Sequence, residues 1–130
     1  MKKYLLTLML ALALVFGGCI TAVEQGTIID AEDMVADITS GSVSIGNSTH
    51  IYVYCVWEGA DSPVGNIIVQ SSNDDTNWIA ASTQAAGGAA GSKGFNISDA
   101  AYTMFRVFYD VTSDGSSDDL TCIYNIKKGH

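Results

Sequence analysis

Side-chain oxygens gather at two places in this chain. Asn73, Asp74, Asp75 and Asn77 fall within five residues, and Asp110, Asp114, Asp118 and Asp119 follow further on. Carboxylates and carboxamides suit a hard cation such as Ca²⁺, which takes six or more oxygens. Neither cluster has the D-x-D-x-D-G order with a late Glu that lets one loop supply them. Turn chemistry explains the same residues more simply, because Asn and Asp bond nearby backbone groups and accept left-handed geometry. The expectation is turns, with no metal and no cofactor. Asn73, Asp74, Asp75, Asp114, Asp118 and Asp119 remain the candidate ligand or calcium loops.

Aromatic side chains offer a second chemistry. Trp57, Trp78, Tyr52, Tyr54, Tyr102 and Tyr109 could form a platform for a sugar. Rings of this kind more often fill the core and rim of a small β domain, where each buries a large area. Catalytic chemistry is poorly provided for. His50 is the one histidine inside the expected domain and begins a strand beside Asn47 and Ser48. No nucleophile elbow, H-E-x-x-H, phosphate loop or dinucleotide fingerprint is present. The expectation is that the protein is not an enzyme.

The first part of the chain reads as a targeting segment. Lys2 and Lys3 precede thirteen apolar residues, Tyr4 to Phe16, then Gly17, Gly18 and Cys19. That is the layout of a secretory signal over residues 1–18, and it is short of the ~20 residues a membrane span needs. Phe16-Gly17-Gly18-Cys19 resembles a bacterial lipobox, with Phe where Leu is usual, which makes Cys19 a candidate lipid anchor. Cleavage after Ala22 is the alternative. Cys55 and Cys122 then remain as an even pair, disulfide candidates in an exported chain or two separate buried thiols.

Net charge is −8 for the 130 residues and −10 once Lys2 and Lys3 are set aside. Such a surface repels nucleic acid and anionic membrane. The expected partners are proteins or further copies of the chain, a glycan, and a membrane only through lipid on Cys19.

The elements that must position these residues are strands. Residues 19–39 read as a tether or first strands, and residues 40–130 as the domain. Thr49–Trp57 is dense in β-branched and aromatic residues. Its Ile51, Val53, Cys55 and Trp57 face one way, and Tyr52, Tyr54 and Val56 the other. Asn66–Ser71 runs into the Asn73–Asn77 turn, and Trp78 opens a return strand to Ser82. Thr83–Gly94 is rich in Ala and Gly, which predicts a flexible loop. Thr103–Val111 and Leu120–Lys127 are strands joined by a hairpin at Asp114-Gly115, with Arg106 and Asp110 on one face as an ion pair. Seven to nine short strands without a long helix predict an all-β fold, a single antiparallel β-sandwich or jelly-roll-like domain.

Three stretches together resemble a family of small β-sandwich modules of bacteriophage structural genes and environmental viral sequences. They are IYVYCVWEG (51–59), GNIIVQSSNDDTNW (65–78), and YTMFRVFY (102–109) with a final strand ending NIKKG. The family's hairpin has the form G-x-(apolar)-x-(apolar)-Q-x-S-N-D-G-x-x-W, followed by an aromatic-Arg-Val-aromatic strand. Gln70, Ser72, Asn73, Asp74, Trp78, Arg106 and Val107 match it, and Asp75 stands where Gly is usual. The resemblance implies the fold over residues 40–129 and says less about function. The resulting expectation is a non-catalytic exported surface protein with a structural or interaction role. A virion-associated protein and a glycan- or calcium-binding module are the alternatives.

Overall fold

The computed structural model describes residues 23–46, 48–98, 102–113 and 115–128, with the side chains of residues 49, 115–117 and 128 left undefined. The signal segment, Cys19 and Asp114 lie outside the described residues. Nine strands follow in order: β1 (Val23–Met34), β2 (Ile38–Thr39), β3 (Val43–Ser44), β4 (Ser48–Glu58), β5 (Val64–Ser72), β6 (Ile79–Ala86), β7 (Ala90–Ile97), β8 (Met104–Ser113) and β9 (Gly115–Lys128). They form two antiparallel sheets. One has the order β1-β9-β4-β7; the other has β2-β8-β5-β6, with β3 also on β8. This is the all-β sandwich that the spacing of strands and turns predicts.

Alternation sorts the side chains. On β4, Ile51, Val53, Cys55 and Trp57 are buried while Tyr52, Tyr54 and Val56 face out. Ile67 and Val69 of β5, and Phe105, Val107 and Tyr109 of β8, meet them from the opposite sheet. Leu120, Cys122 and Ile126 of β9 complete the core, and Phe105 packs edge-on against Tyr124 at 5.5 Å between ring centres.

Of these strands, only β5 and β6 are both consecutive in sequence and paired with each other. The other pairings join strands distant in sequence, so the chain crosses repeatedly between the sheets. The step from β8 to β9 is one such crossing. Strands β8 and β9 therefore belong to different sheets and form no hairpin with each other, because β9 pairs with β1 and β4.

Val23–Met34 is a full strand on β9, so the sandwich includes the segment read as tether or first strands. Of Met34–Thr39, Met34 closes β1 opposite Gly115, and Ile38 and Thr39 pair with Tyr109 and Phe108 on the other sheet.

The Ala/Gly-rich stretch is the largest departure from expectation. Thr83–Ala86 continues β6, and Ala90–Gly94 belongs to β7. Its small residues make room for aromatic rings. A Cβ on Gly91 would collide with the Trp57 indole, and one on Gly94 would lie 2.7 Å from the Tyr52 hydroxyl. The turn between the strands passes through Gly88 at φ +85°, whose carbonyl accepts the Trp57 Nε1–H at 3.1 Å. Composition alone shows missing side chains; the tertiary fold supplies the rings that fill the space.

Candidate functional site

The β5–β6 turn is organised around one carboxylate. Asp74 Oδ1 accepts the backbone N–H groups of Thr76 at 3.0 Å and Asn77 at 2.7 Å. The Ser72 hydroxyl donates to the same oxygen at 3.0 Å, and the Asn77 side-chain amide donates to Oδ2 at 2.6 Å. These donors favour the charged form, so the Asn77 backbone and side-chain bonds, then those of Thr76 and Ser72, hold its pKa far below the usual carboxylate range. Asp75 sits at φ +57°, the left-handed geometry that explains glycine at this position in the resembling hairpins. Asn73 Oδ1 accepts the Thr103 N–H at 3.0 Å and ties the turn to the chain entering β8.

The other matching residues support the same turn from the sheet. Arg106 Nε donates to Gln70 Oε1 at 2.7 Å, and its guanidinium lies 4.4 Å from the centre of the half-buried Trp78 ring. Arg106 is thus held by a hydrogen bond and a cation–π contact. The ion pair expected with Asp110 is not formed among the described residues. Spacing along one strand placed the two charges on a face, whereas the neighbouring strand offered closer partners.

The acidic clusters do not join. Asn73 bonds to Thr103 just before β8, whereas Asp118 follows the far end of that ten-residue strand. Asp110, the member of the second cluster nearest to the turn along β8, lies seven residues beyond Thr103, roughly 23 Å at 3.2–3.4 Å per residue. Asp118 is fully buried, with Oδ1 accepting the Asp61 N–H at 3.2 Å and Oδ2 without a hydrogen-bond partner. Asp119 is exposed and sits between Asp33 and Glu58 in the ladder. Among the described residues no group of three or more His, Cys, Asp and Glu side chains is placed to hold a metal. Asn73, Asp74 and Asp75 accordingly belong to turn architecture, while Asp118 and Asp119 sit at the opposite end.

The expected aromatic platform divides. Trp57 and Tyr109 are core residues, Trp78 and Tyr102 are half-buried, and Tyr52 and Tyr54 remain exposed. Burial raises the Tyr109 pKa, with further contributions from Asp118, Asp110 and Asp37, and its hydroxyl has no hydrogen-bond partner. His50 is exposed on β4, opposite Lys127.

Cys55 and Cys122 are direct neighbours across β4 and β9, with Cα atoms 4.1 Å apart, and they form a disulfide of 2.06 Å. Two open clefts flank the sandwich. One of about 630 Å³ lies between the β1 edge and the β2 segment and includes Asp30, Glu32, Asp33 and Asp37. The other, of about 400 Å³, runs beside Ile79–Ser82, Asn96–Ser98 and Tyr102.

No protein-family model matches the sequence, and no curated protein matches it significantly. Solved structures do resemble it. The SPBc2 prophage-derived protein YomS aligns with a TM-score of 0.50 at 15% identity, over 85% of this chain and 98% of that one. A protein of Bacillus endospore appendages, described as disulfide-linked pili, aligns with a TM-score of 0.50 at 11% identity, over 88% and 98%. The VP2 subviral particle of infectious bursal disease virus gives 0.54 at 14% identity, over 83% of this chain and 33% of that one. At these identities the likeness is one of fold, and the chain shares a two-sheet antiparallel sandwich with these three proteins.

Proposed function

We propose that the chain is an exported, non-catalytic structural protein that associates with further copies of itself through a sheet edge. The β6 edge is the observation that carries this reading. Exposed edges invite strand pairing unless charge, bulges or shortness prevent it. The β1 edge has three register irregularities and carries Asp30, Glu32 and Asp33. The β7 edge turns Lys93 toward the sandwich interior, in register with Cys55. On β8 the flanking strands are two residues each, and side chains satisfy the ladder there: Val107 N–H donates to Ser40 Oγ and Val111 N–H to Asp37 Oδ1, both at 2.9 Å. Strand β6, IAASTQAA, has eight residues with no charge and no proline and a single register shift, between Ala80 and Ser82, and Ile79 is 49% exposed.

Export is supported by the signal-like segment and by the disulfide, which persists in oxidising compartments. Lipid on Cys19 would attach the sandwich to a membrane. The fold's occurrence in a pilus protein and a virus particle supports an assembling role. The phage-type hairpin and the prophage protein support a virion-associated alternative.

Light scattering on the purified protein tests association, and Ile79→Lys with Thr83→Lys should convert oligomer to folded monomer. A wild-type protein that stays monomeric at high concentration would overturn the edge reading. Mass spectrometry of the mature N-terminus distinguishes acylated Cys19 from cleavage after Ala22.

A further inference from the structure

The outer face of the β1-β9-β4-β7 sheet has a sorted pattern that edge association leaves unexplained. Its rows follow from the strand register. Gln25, Asn125, Tyr52 and Asn96 lie side by side, and Thr27, Ile123, Tyr54 and Gly94 form the next row. These two central rows carry no charge. Among the described residues that the register pairs on this face, charges stand toward the two ends, with Lys127 and His50 on one side and Asp33, Asp119 and Glu58 on the other. Tyr52 is 44% exposed and Tyr54 37%, although both lie on β4, one of the sheet's two interior strands.

Gly94 shows how the Tyr52 ring lies. A Cβ there would come within 3.4 Å of Tyr52 Cε2 and Cζ, and within 2.7 Å of its hydroxyl. The ring therefore leans along the sheet toward the glycine, with its hydroxyl end over it, and stays 44% exposed. Three carboxamides share its row, and each can donate and accept at once. The Gln70 and Gln84 amides already bond Arg106 and the Gly94 carbonyl. Those of Gln25, Asn96 and Asn125 make no such bond among the described residues.

We infer that this face binds a neutral glycan, with a pyranose ring stacked on Tyr52, Tyr54 as a second contact, and Asn96 and Asn125 bonding its hydroxyls. A pyranose offers an apolar C–H face to an aromatic ring and hydroxyls at its rim that pair with amides. An anionic or cationic ligand would find no counter-charge in the central rows. The two uncharged rows, with four strands about 4.8 Å apart and rows about 7 Å apart, cover only a few hundred Å², an area that suits a short oligosaccharide.

The test uses the disulfide-bonded protein with cellohexaose, maltohexaose and chitohexaose, followed by backbone NMR and calorimetry. Plain hexose chains are thereby separated from N-acetylated ones. One of the three should shift the amide signals of Tyr52, Tyr54, Gly94, Asn96 and Asn125. Its affinity should change little with salt, as expected for an uncharged site. Tyr54→Ala and Asn125→Ala should each weaken binding, the former about tenfold. The wild-type shift map needs no variant, so a poorly folding substitution does not blunt the test. Absence of binding by all three at about 10 mM, shifts confined to another face, or full binding by both variants would overturn the inference. So would sugar-free dimerisation through Tyr52 and Tyr54.

Discussion

At the scale of residues, Asp74 organises its turn: its own N–H donates to the Ser72 hydroxyl, and its two carboxylate oxygens accept four hydrogen bonds from Ser72, Thr76 and Asn77. Asp74→Ala removes them all and should lower the melting temperature more than Asp74→Asn, which keeps an acceptor at Oδ1. Because the folded pKa lies below the ordinary 3.8, the charged form's contribution is present above that pH and is lost as pH falls below it. The gap between wild type and Asp74→Asn should therefore close in melts run at progressively lower pH. Tyr109 has the opposite sign. Its raised pKa makes its contribution complete below about 10 and lost above it. Tyr109→Phe removes a buried hydroxyl with no partner. It should gain about 0.5–1 kcal/mol at neutral pH by denaturant unfolding and lessen the decline at alkaline pH.

At the scale of elements, β6 and β7 depend on side chains that are missing. Gly91 seats Trp57, while a Cβ on Gly87 would approach nothing closer than the Pro63 carbonyl at 3.9 Å. Gly91→Ala should lose about 1–3 kcal/mol through overpacking, whereas Gly87→Ala should be close to neutral. Similar losses at the two sites in urea titrations would contradict the packing account. The β5–β6 hairpin was legible beforehand because its signals are local: apolar alternation, an Asn/Asp turn and a following Trp. The roles of Gln70 and Arg106 were less legible, since they meet across strands 36 residues apart in sequence.

At the scale of the molecule, the disulfide spans a sequence separation of 67 residues, linking the two interior strands of one sheet, β4 and β9. Chain-entropy reasoning assigns a closure of that length about 4 kcal/mol. Cys55→Ala with Cys122→Ala should reduce unfolding free energy by up to that amount, measured against wild type under non-reducing conditions. By itself, the sequence determined the all-β class, which residues of β4 share a face, and the β5–β6 turn. Periodicity and turn chemistry are local properties that need no knowledge of partners. Tertiary structure decided which strands share a sheet, that the Ala/Gly stretch is two strands, and that the acidic clusters lie at opposite ends. It also joined Cys55 to Cys122 and left only Tyr52 and Tyr54 exposed among the candidate rings. Each of these depends on contacts between residues far apart in the chain, and residue type fixes a side chain's capacity but not its neighbours.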